Sequence, residues 1–124
     1  MKTAIVIFTD PQSGSQESLT RMLNALVMGH ECQREGDETE IVFAGTGTRW
    51  PGELSQLGHP GNELYESVRT LIKGASRSCA VRNQAVESLQ AAGIELLQDN
   101  AVPGTEGVVS LRRYYAEGWK VAMF

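Results

Sequence analysis

The 124-residue sequence contains only two cysteines, Cys32 and Cys79, which lie far apart along the chain. Neither belongs to a Cys-x-x-Cys pair, which argues against a zinc ribbon and against a thioredoxin-type redox motif. Two cysteines are also too few for a disulfide framework in a chain of this size. His30 and Cys32 are two residues apart on a predicted helix and point to different faces, so we expect no metal site.

The sequence also lacks long apolar runs and an excess of positive charge. No run approaches the roughly 20 residues that span a bilayer, and we expect no membrane partner. Lysine and arginine number 11 against 15 aspartate and glutamate, giving a formal net charge of −4. This balance argues against nucleic acid as a partner, because binding phosphates requires a cationic face. The first apolar stretch, Ala4 to Phe8, is too short for the core of a signal peptide, which favours a cytoplasmic protein.

Apolar strands and amphipathic helices alternate along the chain. Residues 3–9 form a continuous apolar run rich in β-branched side chains, which is typical of a parallel strand covered on both faces. The other predicted strands are 40–44, 75–79, 100–103 and 119–124. The predicted helices are 15–34, 63–73, 80–92 and 106–117, and 45–62 is predicted to be a long irregular segment. The order predicts one α/β domain over residues 1–124, a three-layer α/β/α sandwich with a mostly parallel five-stranded sheet.

Cys79 is the main candidate for chemistry, because it lies where a predicted strand ends and a helix begins. Ligands of parallel sheets bind at the carboxyl ends of the strands. Unpaired backbone N–H groups, the helix dipole and the flanking Arg77 and Arg82 would all favour the reactive thiolate. The alternative is that Cys79 is a small buried hydrophobic residue at a strand end.

A second candidate is the loop formed by Ser13, Gly14 and Ser15, which follows the first strand and opens the first helix. Its backbone N–H groups and hydroxyls could bind an anion or a phosphate. The loop is neither a Walker A sequence nor a Gly-x-Gly-x-x-Gly motif. We favour the alternative that it caps the helix, with Ser13 and Gln16 forming a capping box.

Around Cys79 and beyond it, the sequence resembles the DsrE/DsrF-like family of small sulfur-relay proteins. The resemblance is carried by Ser78-Cys79-Ala80, Val102-Pro103-Gly104, Gly107 to Leu111, and Tyr115 to Trp119. Tyr115 stands where the family usually has Gln, and Thr105-Glu106 lengthens the Val-Pro-Gly segment. The resemblance implies an α/β sandwich that assembles into trimers or hexamers. It also implies that Cys79 accepts sulfane sulfur as a persulfide and hands it to another protein.

Three functions remain open. The first is a sulfur carrier that needs no cofactor, with Arg77 and Arg82 supporting the persulfide of Cys79 and with sulfur donor and acceptor proteins as partners. The second is a flavodoxin-like nucleotide or flavin binder, with a phosphate in the loop after the first strand and Trp50 as a stacking ring. The third is a non-catalytic oligomeric regulatory protein. The sequence assigns no role to Cys32 or to residues 45–62, which could shape the pocket over Cys79 or set partner choice.

Overall fold

The computed structural model describes all residues from Met1 to Phe124 and forms an α/β sandwich around one five-stranded sheet. The strands are β1 (Lys2–Ile7), β2 (Glu38–Phe43), β3 (Ile72–Ser76), β4 (Leu96–Leu97) and β5 (Lys120–Met123). The helices are α1 (Gln16–Arg34), α2 (Trp50–Leu54), α3 (Asn62–Ser67), α4 (Arg77–Arg82), α5 (Val86–Ala91) and α6 (Leu111–Ala116). None of the helices combines the length and apolarity needed to cross a membrane.

The strand order is β4-β3-β2-β1-β5, and every neighbouring pair is parallel. This arrangement confirms the predicted fold class. Because all five strands point the same way, their carboxyl ends lie along one edge of the sheet, and the segments that follow β1, β2 and β3 meet there. Side chains alternate across the sheet, so Ile5 and Ile7 pack on one face whereas Ala4 packs on the other.

The two faces of the sheet carry cores of unequal size. The larger core holds 16 buried residues, among them Leu26 of α1, Leu54 of α2 and Leu89 of α5. The smaller core, on the opposite face, holds five buried residues and is centred on Tyr114 of α6 and Trp119. The rings of these two residues meet edge to face with centroids 5.3 Å apart. The long helix α1 therefore belongs to the larger layer, and α6 covers the other face.

Residues 45–62, predicted to be irregular, are helical from residue 45 to residue 54, and none of these ten residues is exposed. The segment comprises a 3-10 turn at Gly45–Arg49, then α2, then a short turn that leads into α3. The prediction was wrong because it treated the glycines and prolines of this segment as helix breakers. The four-residue spacing of Trp50 and Leu54, which are 2% and 0% exposed, is instead that of a helix with one buried face. The indole N–H of Trp50 donates to the Thr9 carbonyl at 2.7 Å, which fixes this segment against the end of β1.

The strand and helix bounds around Cys79 also differ from those predicted. The third strand is residues 72–76 rather than 75–79, so Cys79 lies within a helix rather than in a strand. The helix predicted over 63–73 ends at Ser67, because a 3-10 turn follows and Ile72 already belongs to β3. The helix predicted over 80–92 is two short helices, which Gln84 separates with a φ of 55°.

The C-terminal part of the chain contains two further corrections. Residues 100–103 are not a strand: Asn100 alone forms an antiparallel bridge, with Val108, and the fourth strand is Leu96–Leu97. The helix predicted over 106–117 begins only at Leu111, because Gly107 adopts a φ of 98° and the Ser110 side chain caps the helix through the N–H of Arg113. The final strand, predicted over 119–124, is present as β5 (Lys120–Met123), and it joins the sheet beside β1.

Candidate functional site

Cys79 is the third residue of α4, which begins directly after β3 at the carboxyl edge of the sheet. Its side chain is half-buried and lines a groove of about 580 Å³, here called the Cys79 groove. The remaining lining residues are Ser78, Val81, Arg82, Gly104, Thr105, Glu106 and Val108. The structure therefore places the candidate nucleophile in a cavity, and its thiol is not an enclosed core group.

The wall of the groove opposite α4 is the loop of residues 101–107, which is tied to α4 by Ser78. The Ser78 N–H donates to the Gly107 carbonyl at 3.0 Å, and the Glu106 N–H donates to Ser78 Oγ at 2.8 Å. Two hydrogen bonds between Asn100 and Val108 close the base of this loop. These hydrogen bonds hold the loop of residues 101–107 against α4, and the groove is the space between the two.

The charges around Cys79 differ from the pattern predicted from the sequence. Arg77 Nε lies 3.3 Å from Glu106 Oε1, so this guanidinium already has a carboxylate partner. Arg82 lines the groove, is exposed, and forms no ion pair. The α4 dipole is that of a helix of only six residues, and one of its free N–H groups is already bonded to Gly107. Arg82 is therefore the charge in the groove that remains available to an anion.

Asn83 is a residue of this region that the sequence analysis did not identify. Its backbone N–H and its side-chain Nδ2 both donate to the Cys79 carbonyl, at 3.0 and 2.8 Å. The same Nδ2 also donates to the carbonyl of Gly45 at 3.1 Å. An asparagine after a short helical run is a C-terminal capping signal, and that signal could have singled out this residue.

Two more side chains connect the loops after β1 and β2 beside Asn83. Arg49 Nη1 and Asp10 Oδ1 form an ion pair at 3.0 Å, with both side chains largely shielded from solvent. Asp10 Oδ1 also accepts the N–H of Gln12 at 2.9 Å and thereby caps the 3-10 turn after β1. The segments that follow β1, β2 and β3 are thus joined by side-chain bonds at the carboxyl edge of the sheet.

The Ser13–Ser15 loop is not part of the Cys79 groove. Ser15, rather than Ser13, caps α1 by accepting the Ser18 N–H at 3.0 Å, so the predicted box between Ser13 and Gln16 does not form. Ser13 Oγ instead bonds the hydroxyls of Ser15 and Ser18 at 3.2 and 2.9 Å. The hydroxyls of this loop are therefore engaged with one another and with the helix that they cap.

Cys32 and Trp50 are both withdrawn from solvent. Cys32 is 6% exposed near the C-terminal end of α1. Trp50 is 2% exposed, and its indole N–H is bonded to Thr9. A buried ring cannot stack on a flavin, so the structure contradicts the proposed stacking role of Trp50. Of the two thiols, that of Cys79 lines the groove, whereas that of Cys32 is buried.

Comparison with known proteins yields a relative of unknown activity. No family model matches the chain, and no solved structure matches it. An uncharacterized protein of Methanocaldococcus jannaschii is 26% identical over 121 residues, which cover 98% of this chain and 93% of that protein. The similarity extends over nearly the full length of both chains. The name of that relative assigns it no activity.

Proposed function

We propose that this protein is a sulfur carrier of the DsrE/DsrF-like kind, in which Cys79 accepts sulfane sulfur as a persulfide and passes it on. The observation that carries the proposal is the placement of Cys79. Its thiol lines a groove at the carboxyl edge of a parallel sheet, with the unpaired Arg82 in the same groove. Cys32, the other thiol of the chain, is buried.

The transfer is a thiol–persulfide exchange that needs no external oxidant or cofactor. The Cys79 thiolate attacks the outer sulfur of a donor persulfide, R–S–SH, and a bond forms between the two sulfurs. The donor's S–S bond breaks, and its electron pair leaves on R–S⁻. The Cys79 persulfide ionises, and the anion is stabilised by the Arg82 guanidinium. An acceptor thiolate then attacks the outer sulfur, and Cys79 leaves as a thiolate.

The proposal includes the partners and the setting of this exchange. Donor and acceptor are proteins that present a cysteine to the groove, and the chain assembles with copies of itself into a trimer or a hexamer. A reducing cytoplasm suits the relay, because Cys79 must start each cycle as a free thiol. Neither a cofactor nor a metal takes part. Since sulfur enters and leaves unchanged, the protein is closer to a carrier than to a turnover enzyme.

Arg77 has a different part in this proposal from the one expected from its sequence position. Because its guanidinium is paired with Glu106, Arg77 supports the persulfide by holding the opposite wall of the groove in place. Arg82 supplies the charge itself.

The test of the proposal is sulfur loading measured by intact mass. Reduced wild-type protein, Cys79→Ser and Cys32→Ser are each incubated with a persulfide donor and then desalted. Wild type and Cys32→Ser are expected to gain one sulfur atom, and Cys79→Ser none. A gain at Cys32 alone would contradict the proposal. No gain in any protein would also contradict it and would leave a non-catalytic role for the fold.

A further inference from the structure

The position of Cys79 depends on groups outside its own helix. Helix α4 has only six residues, and isolated helices shorter than about 12 residues are marginal in water. Ser76 precedes the helix but makes no side-chain capping bond to it, because its hydroxyl accepts the N–H of Val109 at 3.1 Å instead. The bonds at the two ends of α4 therefore determine where the Cys79 sulfur lies.

At the C-terminal end of α4, that connection is made by the Asn83 amide. Asn83 Nδ2 donates one hydrogen bond to the carbonyl of Cys79 and another to the carbonyl of Gly45, in the turn after β2. Gly45 belongs to the same 3-10 turn as Arg49, which is ion-paired to Asp10 after β1. The amide thus links the backbone of the candidate nucleophile to the two neighbouring loops.

We propose that Asn83 is a positioning residue for Cys79, fixing α4 against the turn at Gly45 so that the sulfur stays within the Cys79 groove. This inference rests on the proposed function, because it concerns the same sulfur transfer. Asn83 does not contact the reacting sulfur and acts only through the backbone of residue 79. Loss of the amide donor leaves the Gly45 carbonyl without this partner and frees the end of α4 to shift.

Misplacing a reacting group by about 1 Å can cost roughly 100-fold in rate. Asn83→Leu has nearly the same shape and no donor, and Asn83→Gln restores an amide donor. Asn83 has a φ of −96°, so neither replacement strains the backbone. The matched control is Asn62→Leu, since Asn62 Nδ2 makes the same kind of bond to the Leu54 carbonyl at 2.8 Å, outside the Cys79 groove.

The experiment measures the rate of sulfur loading from a persulfide donor for wild type and the three variants. Circular dichroism confirms first that each protein is folded. We expect a roughly 10- to 100-fold slower rate for Asn83→Leu, partial recovery for Asn83→Gln, and the wild-type rate for Asn62→Leu.

Loading at the wild-type rate in Asn83→Leu would overturn the inference and leave the proposed function standing. An equal loss in Asn62→Leu would also overturn it, because general loosening of the fold would then account for the effect. If Asn83→Leu does not fold, Asn83→Ala takes its place, and failure of both to fold would assign Asn83 a structural role only. Absence of loading in wild type would instead contradict the proposed function.

Discussion

Replacing Gly47 with alanine tests how closely the turn after β2 approaches β1. A Cβ atom at this position would lie 2.8 Å from the carbonyl carbon of Ile7 and 3.3 Å from Cα of Phe8, and closer still to the carbonyl oxygen of Ile7. These are backbone atoms at the end of β1, an interior strand of the sheet, and they cannot withdraw without disturbing the pairing of β1 with β2. Overpacking of this kind costs about 1–3 kcal/mol, and the rigid backbone places Gly47→Ala near about 3 kcal/mol.

Gly58→Ala is the matched control, because nothing lies within 4 Å of a Cβ built at this exposed position. Its free energy of unfolding should stay within about 0.5 kcal/mol of wild type. The assay is urea unfolding followed by the fluorescence of the two buried tryptophans, Trp50 and Trp119. With a slope of about 1–3 kcal/mol per molar urea, the Gly47→Ala midpoint should fall by about 1–3 M. A midpoint equal to that of Gly58→Ala would refute this turn placement, and with it the juxtaposition of Gly45 and Asn83.

Three further predictions concern ionisation, thiol access and capping. Burial and the nearby Glu40 carboxylate raise the pKa of Tyr114 from 10 to about 12, so the stability it confers is fully present below pH 10 and is lost as the pH rises from 10 to 12. At about 1.4 kcal/mol per pH unit, urea unfolding measured between pH 10 and 12 should show a loss of about 2–3 kcal/mol in the free energy of unfolding. Tyr114→Phe should abolish this loss, whereas Tyr115→Phe, at an exposed position, should not. Iodoacetamide should alkylate Cys79 at least about 100-fold faster than Cys32 in the folded protein, because reaching Cys32 requires local opening that costs about 3 kcal/mol or more. Equal rates in peptide mapping would contradict the burial of Cys32. Ser15→Ala should lower the free energy of unfolding by about 1 kcal/mol through loss of the α1 cap, and unchanged urea unfolding would contradict that assignment.

The sequence predicted those elements whose local signals agree with their tertiary surroundings. The apolar runs of β1 and β2 are largely buried in a parallel sheet as their composition indicated, whereas β5, at the edge of the sheet, is only partly buried. Helix α1 ends where predicted, because Gly36 adopts a φ of 80° and the N–H of Asp37 bonds the Cys32 carbonyl, which is a Schellman arrangement. The alternation of strands and helices along the chain was sufficient to predict the fold class.

The predictions failed where glycine or proline has a packing function rather than a chain-breaking one. Gly47 is required by the close approach of its turn to β1, and Pro51 occupies the first turn of α2, where its missing N–H has no cost. Counted as breakers, these residues made 45–62 look irregular. Conversely, the apolar spacing of residues 108–115 suggested a long helix, although the left-handed Gly107 and the Ser110 cap delay its start to Leu111.

The site was predicted only in part, because its connections are not local in sequence. Cys79 and Arg82 lie three residues apart on one short helix, so their shared groove could be expected. Pairing of Arg77 with Glu106 spans 29 residues, and the bond from Asn83 to Gly45 spans 38. No periodicity or motif indicates such contacts, which depend on the order of strands in the sheet.

Discharge of sulfur from Cys79 is the measurement that tests the carrier function most directly. Protein loaded from a persulfide donor is desalted and mixed with an excess of acceptor thiol, and the mass of the Cys79 peptide is followed with time. The carrier account predicts that the added sulfur leaves this peptide, that one sulfur atom appears on the acceptor, and that the thiol can be loaded again. Sulfur that stays on Cys79, or that is exchanged at Cys32 instead, would contradict it.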